Sequence, residues 1–130
     1  GHNDFSELYP KYIDSYDGLR YQKPVVVLTN RGCYSATNEF VSVMKYSPLV
    51  TVIGDKTGGG SGLPFSSELP NGWSVRFSAS PMFNAEKEHI EFGIEPDESV
   101  RLLQADKDKG LDTLIEVARR FLKTGKIPHK

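Results

Sequence analysis

The segment between Pro24 and Gly62 constrains the fold of this chain more than any other part of the sequence. An apolar run, PVVVLT, is followed by a short polar turn, a stretch with one apolar face, a second apolar run, LVTVIG, and the loop DKTGGGSG. Consecutive apolar and β-branched residues are typical of a strand that is covered on both faces, as in a parallel sheet. The segment therefore predicts a β-α-β unit whose helix begins beside the carboxyl end of the first strand.

Periodicity and turn residues predict the remaining elements. The helix of the β-α-β unit is predicted to run for about 12 residues and to end before Pro48. Alternating apolar residues on either side of the Pro-Asn-Gly turn at 70–72 predict a β-hairpin. Apolar residues recur at helical spacing over 111–122, and Gly125 follows at the cap position, which predicts a C-terminal helix packed on the core. The fold class expected from these elements is α/β.

Length and composition limit the number of domains and the kinds of partner. The chain has 130 residues, 38% of them apolar, enough to bury one core, so a single domain is predicted over 1–130 with an irregular lead-in at 1–20. Its 16 basic and 17 acidic residues are mixed along the sequence, which argues against nucleic-acid binding. One cysteine and three scattered histidines argue against an internal disulfide or a metal site. No apolar run approaches the roughly 20 residues that span a membrane, and no cofactor is predicted.

Ser35 lies where the turn after the first strand meets the predicted helix. Backbone N–H groups and the helix dipole at such a position favour a developing oxyanion, so Ser35 is a candidate nucleophile for acyl chemistry. The alternative is a helix N-cap, in which the serine hydroxyl accepts a hydrogen bond from the first turn. The residues alone leave both interpretations open.

Other polar groups near this segment also allow two interpretations. Cys33 is either a thiol nucleophile or a small buried apolar group. Lys56 and His89 are possible bases for Ser35, although a solvated loop lysine and a surface histidine are the commoner roles. Phosphate binding by the glycine loop is excluded, because a P-loop continues with Gly-Lys-Ser/Thr into a helix, whereas a proline-bounded strand follows here. Trp73 and the tyrosines are expected to pack in the core or at its edge.

Three motifs together resemble the tail-specific, or C-terminal processing, serine proteases: NRGCYSATNEF, the GDKTGGGSG loop that starts 19 residues after Ser35, and the run GIEPD at 93–97. The resemblance implies a ClpP/crotonase-like spiral of β-β-α units with a largely parallel sheet, of which this chain is the C-terminal, incomplete part. It implies that Ser35 is the nucleophile and that the N–H of Ala36 forms half of an oxyanion hole. The glycines to which it gives a substrate-binding role are Gly32, Gly58, Gly59 and Gly60.

The sequence departs from the Ser/Lys members of this family at the position of the base. Those members carry a lysine in a Gly-Lys-Gly sequence 25 residues after the nucleophile, where this chain has Gly60. A glycine cannot accept the proton of a serine hydroxyl, which is a weak nucleophile without a base. The tricorn-like and interphotoreceptor retinoid-binding-like branches lack this lysine, and the tricorn type uses histidine, a second serine and glutamate. Glu91 is the candidate acid, although the family spacing puts the acid at Ile90.

Two functions follow as hypotheses. The first is a serine-type peptidase that acts on a peptide or protein substrate, with the base and part of the oxyanion hole supplied from outside this chain, so that the isolated chain is inactive. The second is a non-catalytic module of the same fold that binds an extended peptide or another ligand between the Ser35 helix and the 54–62 loop. The resemblance also implies a periplasmic, cell-envelope or extracellular location for the parent protein.

Overall fold

The computed structural model describes residues 4–126 of the chain. Its elements, in chain order, are β1 (Val25–Thr29), α1 (Ala36–Lys45), β2 (Val50–Gly54), β3 (Pro64–Glu68), β4 (Ser74–Ser78), β5 (Glu98–Ser99), α2 (Gln104–Lys107) and α3 (Thr113–Thr124). A three-stranded parallel sheet has the order β1-β2-β5, and β3 and β4 form a separate antiparallel pair. Residues 4–24 form neither helix nor strand.

The β-α-β prediction is confirmed. Strands β1 and β2 are parallel, with a register that runs from Val25 opposite Val50 to Thr29 opposite Gly54, and α1 connects them. The helix has 10 residues, because its last turn tightens after Lys45, where the N–H of Tyr46 donates to Val43. Such a crossover brings the start of α1 to the carboxyl end of β1.

The expectation that β1 is covered on both faces is wrong. Leu28 is 37% exposed, whereas Val52 and Ile53 on β2 are fully buried. The reason is position in the sheet: among the described residues β1 is an edge strand, and α1 contacts β2 while α3 lies against β1 and β2. An apolar run shows that a strand is suited to burial, but the elements packed against the strand decide whether it is buried.

The hairpin is confirmed, but its surroundings are not those expected. Strands β3 and β4 pair around the predicted turn, and the rings of Phe65 and Phe77 lie 5.6 Å apart between their centroids. All ten residues of the two strands are exposed. Trp73 is 71% exposed and Tyr12 84%, so of the two expected roles, packing in the core or at its edge, the first is wrong for these side chains.

The C-terminal helix is confirmed at both ends. The Asp112 carboxylate accepts hydrogen bonds from the N–H groups of Leu114 and Ile115, and Gly125 takes a left-handed conformation at φ 67°. Ala118 is buried on the face that contacts the sheet. The short elements β5 and α2 were not predicted, because two and four residues are too few to show a period.

Asp97, the last residue of the GIEPD run, attaches that run to the sheet. Its carboxylate accepts a hydrogen bond of 2.8 Å from the N–H of Val52, and its own N–H donates to the Val52 carbonyl at 2.9 Å. Lys45 at the end of α1 forms an ion pair of 3.1 Å with the same carboxylate. The GIEPD run therefore connects α1, β2 and β5.

Candidate active site

Ser35 has an unusual backbone conformation. Its φ is 57° and its ψ is −121°, a region that side-chain-bearing residues occupy only at a cost in energy. It is the residue immediately before α1, yet its side chain makes no capping hydrogen bond. The N-cap interpretation is therefore wrong, and the exposed hydroxyl is not used to stabilise the helix.

The turn before Ser35 is built from local hydrogen bonds. The side-chain oxygen of Asn30 accepts from the N–H of Gly32 at 2.7 Å, and the Asn30 carbonyl accepts from the N–H of Cys33 at 2.9 Å. The Cys33 sulfur accepts from the N–H of Asn30, and its side chain is half-buried. Cys33 thus has a structural role in the turn.

The glycine loop lies beside this turn like an additional strand. The N–H of Gly58 donates to Cys33, the N–H of Ser35 donates to Gly59, and the N–H of Gly60 donates to Glu91, at 2.8–2.9 Å. The loop backbone therefore lies between the Ser35 segment and the segment at 91. The N–H groups of Gly58 and Gly60 already have acceptors within the chain, and these hydrogen bonds hold the loop against its two neighbouring segments. A substrate-binding role for the four glycines stays a prediction.

The N–H of Ala36 differs from those of Gly58 and Gly60, because it lies at the start of a helix. Ala36 is the first residue of α1, and the first N–H groups of a helix have no partner within the helix. The positive end of the helix dipole lies at the same place. An oxyanion-hole role for this N–H stays a prediction.

Tyr34 occupies the space that a side chain at position 60 would need. A Cβ built on Gly60 would lie 2.1 Å from Cζ of Tyr34 and 2.6 Å from its hydroxyl oxygen. The ring is 60% exposed and lies over the loop beside the nucleophile. A side chain at position 60 would therefore overlap the Tyr34 ring.

The other possible bases are engaged elsewhere. Lys56 forms an ion pair of 2.9 Å with Glu95, and the His89 ring packs between Phe83 and Phe92 with centroid distances of 5.3 and 5.9 Å. Within the described part of the chain, no side chain hydrogen-bonds to the Ser35 hydroxyl. Neither Lys56 nor His89 therefore contacts the Ser35 hydroxyl.

Glu91 lies across the glycine loop from Ser35. One carboxylate oxygen, Oε1, accepts a hydrogen bond of 3.2 Å from the Ser78 hydroxyl at the end of β4. The other, Oε2, is buried and has no hydrogen-bond partner within residues 4–126, and it faces the backbone at Gly62. Buried carboxylate oxygens are nearly always hydrogen-bonded, so this atom marks a place for a further donor.

Sequence reasoning missed three residues beneath the site, Asn38, Thr57 and Ser61. All three are buried, and they hydrogen-bond to one another. Thr57 and Ser61 flank the three consecutive glycines, which is the signal in the sequence that pointed to them. Among the described residues, no group of three or more His, Cys, Asp or Glu side chains is arranged to hold a metal ion. No helix in that same part of the chain has the length and apolar character needed to cross a membrane.

Comparison with known proteins places this site in a family. The sequence model of peptidase family S41 matches residues 3–100, which include Ser35, the glycine loop and the GIEPD run. The chain belongs to peptidase family S41. This confirms the predicted relationship to the C-terminal processing proteases, whereas the assignment to a lysine-less branch stays a prediction.

Solved structures show the same S41 fold. A candidate peptidase from Parabacteroides merdae ATCC 43184 is 58% identical, with a TM-score of 0.92 over 97% of this chain and 40% of that chain. Mature CPAF is 21% identical, with a TM-score of 0.69 over 87% of this chain and 23% of CPAF. The photosystem II D1 C-terminal processing protease is 24% identical, with a TM-score of 0.52 over 73% of this chain and 24% of that protease. The predicted α/β class, with its parallel sheet, hairpin and C-terminal helix, is confirmed.

The chain matches only a small part of the length of two chlamydial proteins. A protein from Chlamydia trachomatis serovar D is 28% identical over 88 residues, and one from Chlamydia muridarum is 27% identical over the same length. The match covers 65% of this chain and 15% of each chlamydial protein. The chain thus spans a small part of the length of the relatives it matches.

The strained conformation of Ser35 has a measurable consequence. We expect the Ser35→Gly variant to be more stable to unfolding than Ser35→Ala by about 1 kcal/mol, because glycine adopts a positive φ without the steric cost of a Cβ. The free energy of unfolding in urea measures the difference. At Thr37, inside the first turn of α1, the same pair of substitutions should give the opposite order, since alanine favours a helix over glycine. An alanine variant at position 35 as stable as the glycine variant would show that Ser35 is not strained.

Proposed function

We propose that this chain carries the nucleophile of a serine-type peptidase that cleaves peptides or proteins through an acyl-enzyme at Ser35. The observation that carries the proposal is the backbone of Ser35, which holds an exposed, uncapped hydroxyl in a strained conformation at the start of α1. Strain of this kind costs on the order of 1–3 kcal/mol and is concentrated at functional sites. Membership of S41 and the fold shared with proteases support the same class of function.

The chemistry starts with attack of the Ser35 Oγ on a peptide carbonyl carbon, while a base takes the hydroxyl proton. The oxyanion that forms accepts a hydrogen bond from the N–H of Ala36. Collapse of the tetrahedral intermediate breaks the C–N bond, and the leaving amine takes up the proton. Water then attacks the acyl-enzyme by the same route, which releases the acid product and restores the serine hydroxyl.

The base and the second oxyanion donor come from outside this chain. Tyr34 fills the space beside Gly60, Lys56 pairs with Glu95, and His89 packs between two phenylalanines. The isolated 130-residue chain is therefore expected to be inactive. An exported location, periplasmic, cell-envelope or extracellular, stays a prediction from the resemblance.

Glu91 acts as the acid that orients this base. Its Oε1 is held by Ser78, and the buried Oε2, which has no partner among the described residues, accepts a hydrogen bond from a histidine or a water. A carboxylate in this role fixes the direction of the base and stabilises its protonated form. The fixed position of Glu91 beside the glycine loop supports this role.

A non-catalytic binding module is the second candidate. The observation that favours it is the lack, within the described residues, of any side chain hydrogen-bonded to the Ser35 hydroxyl. In that case the surface formed by the start of α1 and the 54–62 loop binds an extended peptide without cleaving it.

Labelling with a fluorophosphonate probe distinguishes the two functions. The full-length protein should be labelled with a stoichiometry of about one, and the Ser35→Ala variant should not be labelled. Ser66→Ala, which removes an exposed hydroxyl from β3, is the matched control and should be labelled like the parent. Labelling that is absent from the full-length protein, or that persists in Ser35→Ala, would argue against the peptidase.

A further inference from the structure

Three buried polar side chains form a cluster beneath Ser35. Asn38 and Thr57 are 0% exposed and Ser61 is 1% exposed. The Asn38 amide nitrogen donates to the Ser61 hydroxyl at 2.8 Å and to the Ile90 carbonyl at 2.9 Å, and the Thr57 hydroxyl donates to the Asn38 side-chain oxygen. We call these three residues the buried polar cluster.

The buried polar cluster joins three separate segments of the chain. Asn38 belongs to the first turn of α1, Thr57 and Ser61 bracket the three glycines, and the carbonyl of Ile90 lies next to Glu91. The Thr57 hydroxyl also accepts a hydrogen bond of 2.7 Å from the N–H of Ile94. Both N–H groups and the oxygen of the Asn38 amide therefore have partners, and a fully satisfied network of this kind fixes the geometry of what it joins.

The network also reaches the backbone of Ser35. The Ser61 hydroxyl lies 3.5 Å from the Ser35 carbonyl oxygen, and the Ser35 N–H donates to Gly59, between the two hydroxyl residues of the cluster. A strained backbone persists only when the surrounding structure over-determines it. The Ser35 carbonyl also accepts the helical hydrogen bond of the Glu39 N–H at 3.1 Å. The segment that the cluster anchors thus restrains the N–H of Ser35 and adds a second contact to its carbonyl.

We propose that Asn38, Thr57 and Ser61 are positioning residues, which hold Ser35 in its strained conformation and keep the glycine loop and Glu91 in register with it. All three side chains are buried, which leaves them no exposed surface for contact with a substrate. The effect on reactivity rests on the proposed function of Ser35, whereas the effect on the conformation of the loop does not. A cluster that merely fills the core would lower stability when broken and leave the folded protein equally reactive.

Thr57 offers a matched set of substitutions. Thr57→Val keeps the shape of the side chain and removes the hydroxyl, so that the Asn38 oxygen and the Ile94 N–H lose their partner. Thr57→Ser keeps the hydroxyl. Ser42→Ala is the control, because Ser42 is buried on the same helix, at 8% exposure, but lies outside the cluster. If Thr57→Val does not fold, Ser61→Ala provides the same comparison with a smaller change.

Two readouts are needed, both on full-length protein in conditions where urea curves show that all variants are fully folded. The first is the rate of fluorophosphonate labelling of Ser35, and the second is amide hydrogen exchange in peptides that cover 33–39 and 57–61. We expect Thr57→Val to be labelled more slowly by on the order of tenfold to a hundredfold, because small displacements of a reacting group have effects of this size. Amide exchange in both peptides should be faster in Thr57→Val than in the unsubstituted protein. Thr57→Ser and Ser42→Ala should have the labelling rate and the exchange of the unsubstituted protein.

The two readouts separate the proposals. A folded Thr57→Val protein with the parent's labelling rate and exchange would overturn the positioning role. If the parent protein is not labelled at all, the proposed peptidase function fails, and the exchange comparison alone decides whether the cluster positions the loop. Increased exchange confined to Thr57→Val supports the proposal in that case, and unchanged exchange refutes it.

Discussion

We expect Gly59→Ala to lose about 4 kcal/mol or more of its free energy of unfolding, a loss at the upper end of single substitutions. A Cβ at this position would lie 1.9 Å from the carbonyl oxygen of Glu91. That oxygen is backbone, and it already accepts the hydrogen bond of the Gly60 N–H, so it cannot move away without breaking the contact between the loop and the segment at 91. Urea unfolding followed by circular dichroism measures the loss.

Gly72→Ala is the matched control for this prediction. Gly59 has a φ of 80° and Gly72 a φ of 83°, but a Cβ at Gly72 meets nothing within 4 Å. The control should therefore lose only the cost of the left-handed conformation, about 1–2 kcal/mol. The difference between the two variants isolates the close approach of the loop to Glu91. Equal losses in the two variants would contradict the predicted contact.

Gly60→Lys places a lysine where the Ser/Lys members carry one. We expect this variant to lose about 3 kcal/mol of its free energy of unfolding and to be labelled at Ser35 no faster than the unsubstituted protein. Gly60 has a φ of 78°, and the new side chain would enter the ring of Tyr34. Because that ring is 60% exposed, it is able to swing outward, but only by giving up its contact with the loop. The unfolding free energy and the rate of fluorophosphonate labelling are the two measurements.

A double-mutant cycle identifies the cause of that loss. The double variant Gly60→Lys/Tyr34→Ala lacks the ring. Its loss of unfolding free energy should be about 1–3 kcal/mol smaller than the sum of the losses of the two single variants. The cost of the positive φ stays in both backgrounds. A Gly60→Lys protein as stable as the parent, or one labelled faster at Ser35, would show that the ring does not exclude the lysine.

The sequence predicted the parts of the fold that depend on near neighbours. The apolar runs, the proline after α1, the turn at 70–72 and the cap at Gly125 each act over a few residues, and the structure has the predicted elements at these places. Predictions about burial succeeded less well. Leu28 and Trp73 are apolar and exposed, because the position of β1 in the sheet and the separation of the hairpin are not encoded by local pattern.

In the candidate site, the sequence also indicated features set by near neighbours and missed those set by distant segments. Ser35 was a candidate from its place between a strand and a helix, whereas the roles of Ala36 and Glu91 were implied by the resemblance to the C-terminal processing proteases. The conformation of Ser35 was not predicted, since the contact that restrains its N–H comes from Gly59, which is 24 residues away in the sequence. The ring of Tyr34 over Gly60 was missed for the same reason.

The sequence by itself determined the β-α-β unit, the serine at the start of its helix and the absence of a lysine at Gly60. These features are set by residue types at short spacing, where strand, turn and helix preferences act. Only the tertiary structure decided that Ser35 is strained and that the cluster of Asn38, Thr57 and Ser61 is buried beneath it. It also decided that one buried oxygen of Glu91 has no hydrogen-bond partner within residues 4–126. Those facts arise from hydrogen bonds between segments far apart in the chain, which form only after the fold has made the segments neighbours.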